Sequence, residues 1–201
     1  MGSQHLDMGR LEATHSYVLD TAGPMVSITY WASTAVDLTI TFHGRKAHAG
    51  VEPEKGIDAG GEASNVVPRS VVLDGMARSH AQGKLDAQLK AMRLACEQAA
   101  DAHGATVEVQ VDEAYRTYKI DPDAKPYRDA AAAIKSLGLE VVPRKSGGGT
   151  DGNHFNAHGL PCVGPPTGMV DEHAATEHIA IDDMVTACRI MAAVVTQPHD
   201  S

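Results

Sequence analysis

The clearest pattern in the chain lies at 36–42, where Val36, Leu38, Ile40 and Phe42 alternate with Asp37, Thr39 and Thr41. A period of two predicts a half-buried strand. A second β-rich stretch, 65–78, carries Val66, Val67, Val71, Val72 and Leu73, with Pro68 near its start or at a sheet edge. From 84 to 103 the spacing changes: Leu85, Leu89, Met92, Cys96 and Ala99 recur every three or four residues, and Gly104 follows as a stop. That spacing predicts an amphipathic helix. Alternation resumes through Val107, Val109 and Val111. The order of strand, loop, strand, helix, strand predicts a small α+β sandwich.

Beyond a polar connector at 118–125 the grammar changes. Pro126 opens a helix through Ala130, Ala133, Ile134 and Leu137 that Gly138 ends; a short strand at 139–142 and the run Ser146-Gly147-Gly148-Gly149-Thr150-Asp151-Gly152 follow. A helix at 151–157, a strand at 160–163 and a last helix at 181–195, with apolar positions 181, 184, 188, 191 and 195, complete the reading. Near the start, Tyr17-Val18-Leu19 forms a short apolar strand ending on Asp20. Helices alternating with short strands predict an α/β domain interrupted by the α+β insert.

Composition narrows the class. The 201 residues include 17 Lys or Arg, 26 Asp or Glu and 11 His, for a formal charge of −9. An acidic balance argues against nucleic-acid binding. No apolar run reaches the roughly 18–20 residues of a membrane span, and no basic-then-apolar leader opens the chain, which predicts a soluble, cytoplasmic protein. Cys96, Cys162 and Cys188 form no CxxC pair and are expected as reduced core residues.

Several residues could carry chemistry. Asp20, at a strand end, suits either a metal or a turn. The segment 171–178 is dense in Asp, Glu and His without matching the HExxH or HxxEH spacing. His154 and His158 lie four apart where a solvated helix face is the expected setting. The glycines at 147–149 let backbone N–H groups approach an anion, or form an ordinary turn. His48, in a loop of small residues, could donate to a developing oxyanion or simply face solvent.

These patches together resemble the zinc-dependent exopeptidases that include peptidase T, aminoacylase-type enzymes and glutamate carboxypeptidases. The pieces are Tyr17-Val18-Leu19-Asp20; Gly44 to Gly50 with Pro53 and Gly56-Ile57-Asp58-Ala59; Asn65-Val66-Val67-Pro68 with Ala77-Arg78-Ser79; Gly148-Gly149-Thr150-Asp151-Gly152-Asn153; and Gly168 to His173 with Glu177 and Ile179. The GGTDG run points to the peptidase T branch. The resemblance implies an α/β fold: a partial zinc-exopeptidase catalytic domain interrupted by a shortened ferredoxin-like α+β lid, divided as 1–34, 35–117 and 118–201. It implies Asp20 and His173 as ligands of two zinc ions and His48 as the lid histidine that polarises the scissile carbonyl. Asn65, Arg78, Gly147, Gly148 and Gly149 would bind a short peptide substrate.

The resemblance also places the family's first zinc-binding His, its bridging Asp and its adjacent Glu pair upstream of the stretch corresponding to Met1. A lid helix and strand have no counterpart between Ala59 and Gly61. The expectation is therefore a truncated chain with an incomplete site, a three-stranded lid with an uncovered face or edge, and weakened pairing of the usual homodimer. The competing reading is a non-catalytic peptide-binding or assembly module.

Overall fold

The computed structural model describes residues 2–48, 51, 56 and 66–197. Two 3-10 turns, Gly2–His5 and Met8–Arg10, precede strands β1 (Ser16–Tyr17), β2 (Ser27–Ala32), β3 (Thr34–His43), β4 (Ala47–His48), β5 (Val66–Val67) and β6 (Ser70–Ser79). Helix α1 (Gln82–Ala102) leads to β7 (Thr106–Tyr115) and β8 (Tyr118–Lys119), then α2 (Lys125–Ser136), β9 (Val142–Ser146) and α3 (Asp151–Ala157). Strands β10 (Cys162–Val163), β11 (Met169–Val170) and β12 (His178–Ile179) lead to α4 (Ile181–Thr196). The chain divides into two compact units, Met1–Thr34 with Tyr115–Ser201, and Ala35–Ala114.

The first unit is the α/β part. β2 lies between β8, antiparallel to it, and β9, parallel to it, and an isolated antiparallel bridge joins Thr29 to Gly164 beyond the end of β10. β1 runs parallel to β10, with Ser16 opposite Cys162. The core gathers Ile28, Tyr127, Ala130, Ala133, Ile134, Val163, Ile190 and Val194, so α2 and α4 pack together over β2 and β10. Burying side chains such as Ile28, Ile134 and Ile190, each 0% exposed, stabilises by roughly 2–3 kcal/mol apiece.

The second unit is a three-stranded sheet, ordered β6-β3-β7, with α1 against it. Val36 and Leu38 meet Leu85 there, flanked by Ala77, Leu89, Met92 and Val111. The alternation at 36–42 is realised: Val36, Leu38 and Ile40 are buried while Asp37 is exposed. Ala100, not Ala99, closes the buried stripe of α1. Gly104 then takes a positive φ of 66°, and Ala105 N–H donates to Ala100 O, closing the helix with a Schellman turn. Edge strand β6 leaves Val72, Leu73 and Met76 about half exposed.

Other expectations need correction. The strand at 139–142 falls at Val142–Ser146, because Leu139 N–H is spent on Ile134 O in the turn that ends α2 at Gly138 (φ 75°). The connector at 118–125 begins with β8, held to β2 by Trp31 opposite Lys119. The 65–78 stretch is two strands broken around Pro68, which has no N–H to offer a ladder. Of the three thiols only Cys162 is buried; Cys96 is half-buried and Cys188 exposed. In α4 Ile190 and Val194 are buried in the core and Met191 packs against it, whereas Ile181, Met184, Cys188 and Val195 from the same sequence pattern face outward.

Candidate functional site

In the first unit β1 and β10 deliver their chain ends to the same edge of the sheet, the place where α/β folds put binding loops. Asp20 follows β1 there, exposed. Its neighbour Thr21 is buried, donates from Oγ1 to Pro165 O (2.6 Å) and accepts at its carbonyl from Thr167 Oγ1 (3.0 Å). Those bonds tie the loop after Asp20 to the loop after β10.

His173 sits at the tip of the hairpin formed by β11 and β12, exposed, in the left-handed region at φ 66°. Asp171, also left-handed at φ 57°, accepts from Thr176 Oγ1, and His173 N–H donates to Glu177 Oε2 (2.8 Å). Left-handed geometry is unfavourable for residues with a Cβ. The two hydrogen bonds hold the tip in shape, so the density of polar side chains at 171–178 serves the turn at least in part. The hairpin and the loop at 22–25 flank a cleft of about 430 Å³ that also includes Arg144 and Asp183. Neither Asp20 nor His173 lines it.

The loop Gly147-Gly148-Gly149 leads into α3 through a complete capping box: Thr150 Oγ1 accepts from Gly152 N–H, and Asn153 Oδ1 accepts from Thr150 N–H. Gly148 N–H is bonded to Ser146 Oγ, and Gly147 O accepts from Ser33 Oγ. The N–H groups of Gly148, Thr150 and Gly152 are thus engaged within the loop, which argues against an anion cradle built from them.

Asn153 is the residue that sequence reasoning undervalued. Only 1% exposed, it donates through Nδ2 to Ser33 O (3.2 Å) and Arg116 O (2.7 Å) while accepting from Thr150. One amide therefore ties the glycine loop to the two chain segments where the first unit hands over to the second. The signal available was the capping-box spacing of Thr150 and Asn153.

His154 is not on a solvated face. It is 8% exposed, and Nε2 is buried without a hydrogen-bond partner among the described residues. Burial holds its pKa below the usual value near 6.5, opposed by Asp151 and reinforced by His158 and His5. Burial therefore favours the neutral imidazole in the native state. As pH falls below about 6.5 the unfolded chain takes up a proton that the native chain resists, so stability declines. Thermal melts from pH 8 to pH 5 are expected to show this decline in the parent and a weaker one in His154→Gln; identical slopes would contradict it. His158 is exposed as expected, with Nδ1 2.7 Å from His154 O.

In the second unit β4 ends on His48, whose backbone pairs with Val66. Arg78 lies on β6, exposed, with Nε 2.9 Å from Met76 Sδ. Asn65 lies outside the described residues. Among the described residues no three His, Cys, Asp or Glu side chains converge in a way that could hold a metal ion.

A mixed α/β unit with Asp20 at a strand end, the GGTDG cap and the His173 hairpin, interrupted by a sheet-and-helix unit, defines a class. Residues 13–197 match peptidase family M20/M25/M40, and the chain belongs to that family. Within it the chain is peptidase T-like. It is similar to aminopeptidase PepT from Bacillus cereus (27% identical, TM-score 0.83, covering 96% of this chain and 60% of that one). A tripeptidase from Staphylococcus aureus is likewise similar (25%, TM-score 0.88, 96% and 59%). YqjE of Bacillus subtilis is 28% identical over 98% of this chain and 61% of its own length. The chain thus spans about three fifths of each of these relatives. No helix among the described residues is long and apolar enough to cross a membrane.

Proposed function

We propose that these 201 residues are the peptidase T-like part of a zinc metallopeptidase for short peptides, of tripeptidase or aminopeptidase type, and that they do not turn over peptide alone. The observation that carries this reading is the combination of family membership with a short donor set. Asp20 and His173 are the zinc ligands this chain would supply, His48 the group aimed at the scissile carbonyl, and Asn65, Arg78 and Gly147 to Gly149 the peptide-binding positions. A catalytic zinc site uses three protein ligands and an open position. The resemblance supplies two of them, Asp20 and His173, so no hydrolytic step is assigned to the chain by itself. Pairing through the lid belongs to the same proposal.

Zinc titration and tripeptide hydrolysis by the purified chain test this reading. Weak zinc binding and no turnover are expected, with what zinc binding there is falling further in Asp20→Ala and His173→Ala. Tight binding of two zinc ions with turnover would overturn it. The short donor set also favours a second reading, peptide binding without hydrolysis. Calorimetric titration with a tripeptide separates the two: saturable binding without zinc supports the second.

A further inference from the structure

The cleft between the loop at 22–25 and the hairpin of β11 and β12 lies within the first unit, and none of the residues assigned to zinc or peptide lines it. Two opposite charges stand in its wall. Arg144, half-buried on β9, has neither an ion pair nor a hydrogen bond from its side chain among the described residues. A guanidinium offers five N–H donors and accepts nothing, so one held in a concave wall without an acceptor is suited to an anionic group. Asp183, in the first turn of α4, also has an unpaired side chain among the described residues.

Backbone comes close to both charges. A Cβ at Gly23 would fall 3.2 Å from Arg144 Cζ, and one at Gly168 would fall 2.6 Å from Asp183 Cβ and 3.2 Å from its Cγ. Both glycines have a positive φ, 110° and 79°. A residue without a Cβ permits that approach and that conformation together. Much of the remaining wall is apolar, with Ala22, Pro24, Met25, Met169 and Val170, and Val170 is 46% exposed. The volume of about 430 Å³ falls within the range of about 300–1,000 Å³ usual for small-molecule sites.

The charge balance selects the ligand. A simple anion would meet Arg144 but be repelled by Asp171, Glu172 and Asp183 in the same wall. A simple cation would leave the guanidinium without an acceptor. A ligand bearing both charges satisfies both sides: its carboxylate takes the Arg144 fork, its ammonium faces Asp183, and an aliphatic side chain covers Met25 and Val170. We infer that this cleft binds a free α-amino acid with an aliphatic side chain, at a site separate from Asp20 and His173. The inference goes beyond the hydrolytic reading and does not depend on it.

Calorimetric titration of the whole chain with leucine, in the presence of a chelator so that zinc contributes no signal, tests the site. Saturable one-to-one binding is expected. Isocaproate, which lacks the ammonium, and leucinamide, which lacks the carboxylate, should each bind at least tenfold more weakly. Arg144→Gln and Asp183→Asn should keep the melting midpoint and each weaken leucine at least tenfold, whereas Lys145→Gln, next along β9 and outside the cleft, should leave it unchanged. In a methyl-labelled sample the Met25 and Met169 resonances should move as leucine saturates the chain, and that of Met184 should not. No saturable binding, isocaproate or leucinamide binding as tightly as leucine, or binding indifferent to both variants would overturn the proposal. With zinc and turnover absent from every readout, such a failure is distinct from a failure of the functional reading.

Discussion

Asn153→Ala is expected to destabilise the first unit by about 3 kcal/mol, the largest loss from any single polar side chain near the glycine loop. The variant removes two donations and one acceptance, and leaves the Ser33 and Arg116 carbonyls and the Thr150 N–H to find other partners. Each buried group left unpaired costs about 1–3 kcal/mol. Some relaxation brings the sum down to the figure given. For a chain of this size about 3 kcal/mol lowers the melting midpoint by roughly 6–12 °C. Thr150→Ala provides the scale: it removes the helix cap alone and should cost about 1 kcal/mol. Denaturant melts of the two variants beside the parent check the ranking. An Asn153→Ala chain no less stable than Thr150→Ala would show that the amide ties nothing together.

Gly149→Ala should act by collision. A Cβ at Gly149 falls inside the contact radius of the Tyr115 ring, which is itself 7% exposed and has little room to swing. Overpacking of this kind costs about 1–3 kcal/mol, and here the strain falls on the loop proposed to line the peptide pocket. Gly147 supplies an internal control, because a Cβ there meets nothing within 4 Å; Gly147→Ala should stay within about 0.5 kcal/mol of the parent. Pairing Gly149→Ala with Tyr115→Leu should recover part of the loss, since contacting residues couple. Melting curves for the two single variants and the double decide the matter: equal costs at 147 and 149, or no recovery, would remove the ring as the cause.

Much of the fold was legible because it rests on local rules. The half-buried strand at 36–42, helices α1, α2 and α3, and the glycines that end α1 and α2 follow from period and turn chemistry. β2 was not legible, although it lies at the centre of the sheet. Ser27, Ile28 and Thr29 are all buried, so a strand covered on both faces shows no alternation to find. His154 was misread for a related reason. A histidine on a seven-residue helix looks solvated until something folds over it, and the turn Gly2–His5, distant in sequence, has Ser3 Oγ bonded to Asp151 at the start of α3.

The site divides along the same line. Asp20, His48 and His173 were singled out by resemblance, because no spacing between them makes a motif. The network around Asn153 depends on Ser33 and Arg116, which are remote from it along the chain, so only its local half, the Thr150 cap, could be read in advance. α4 is the converse case. Its helical period is plain, but periodicity names a stripe without saying which side meets the core: of the apolar positions 181, 184, 188, 191 and 195, Met191 packs against the core and the other four face outward.

The pairing of β1 with β10 bears on how the protein is made. Ser16 lies opposite Cys162, so the first strand of the α/β unit can find its neighbour only after the entire Ala35–Ala114 unit has been synthesised. Contacts so distant in sequence form slowly, whereas the inserted unit draws on one contiguous stretch of chain. During synthesis the insert is expected to fold first, with β1 waiting for β10. Pulse-proteolysis of nascent chains stalled far enough beyond Ala114, and on a linker beyond Thr196, for those residues to clear the ribosome should find the insert protected in both and β1 protected only in the second.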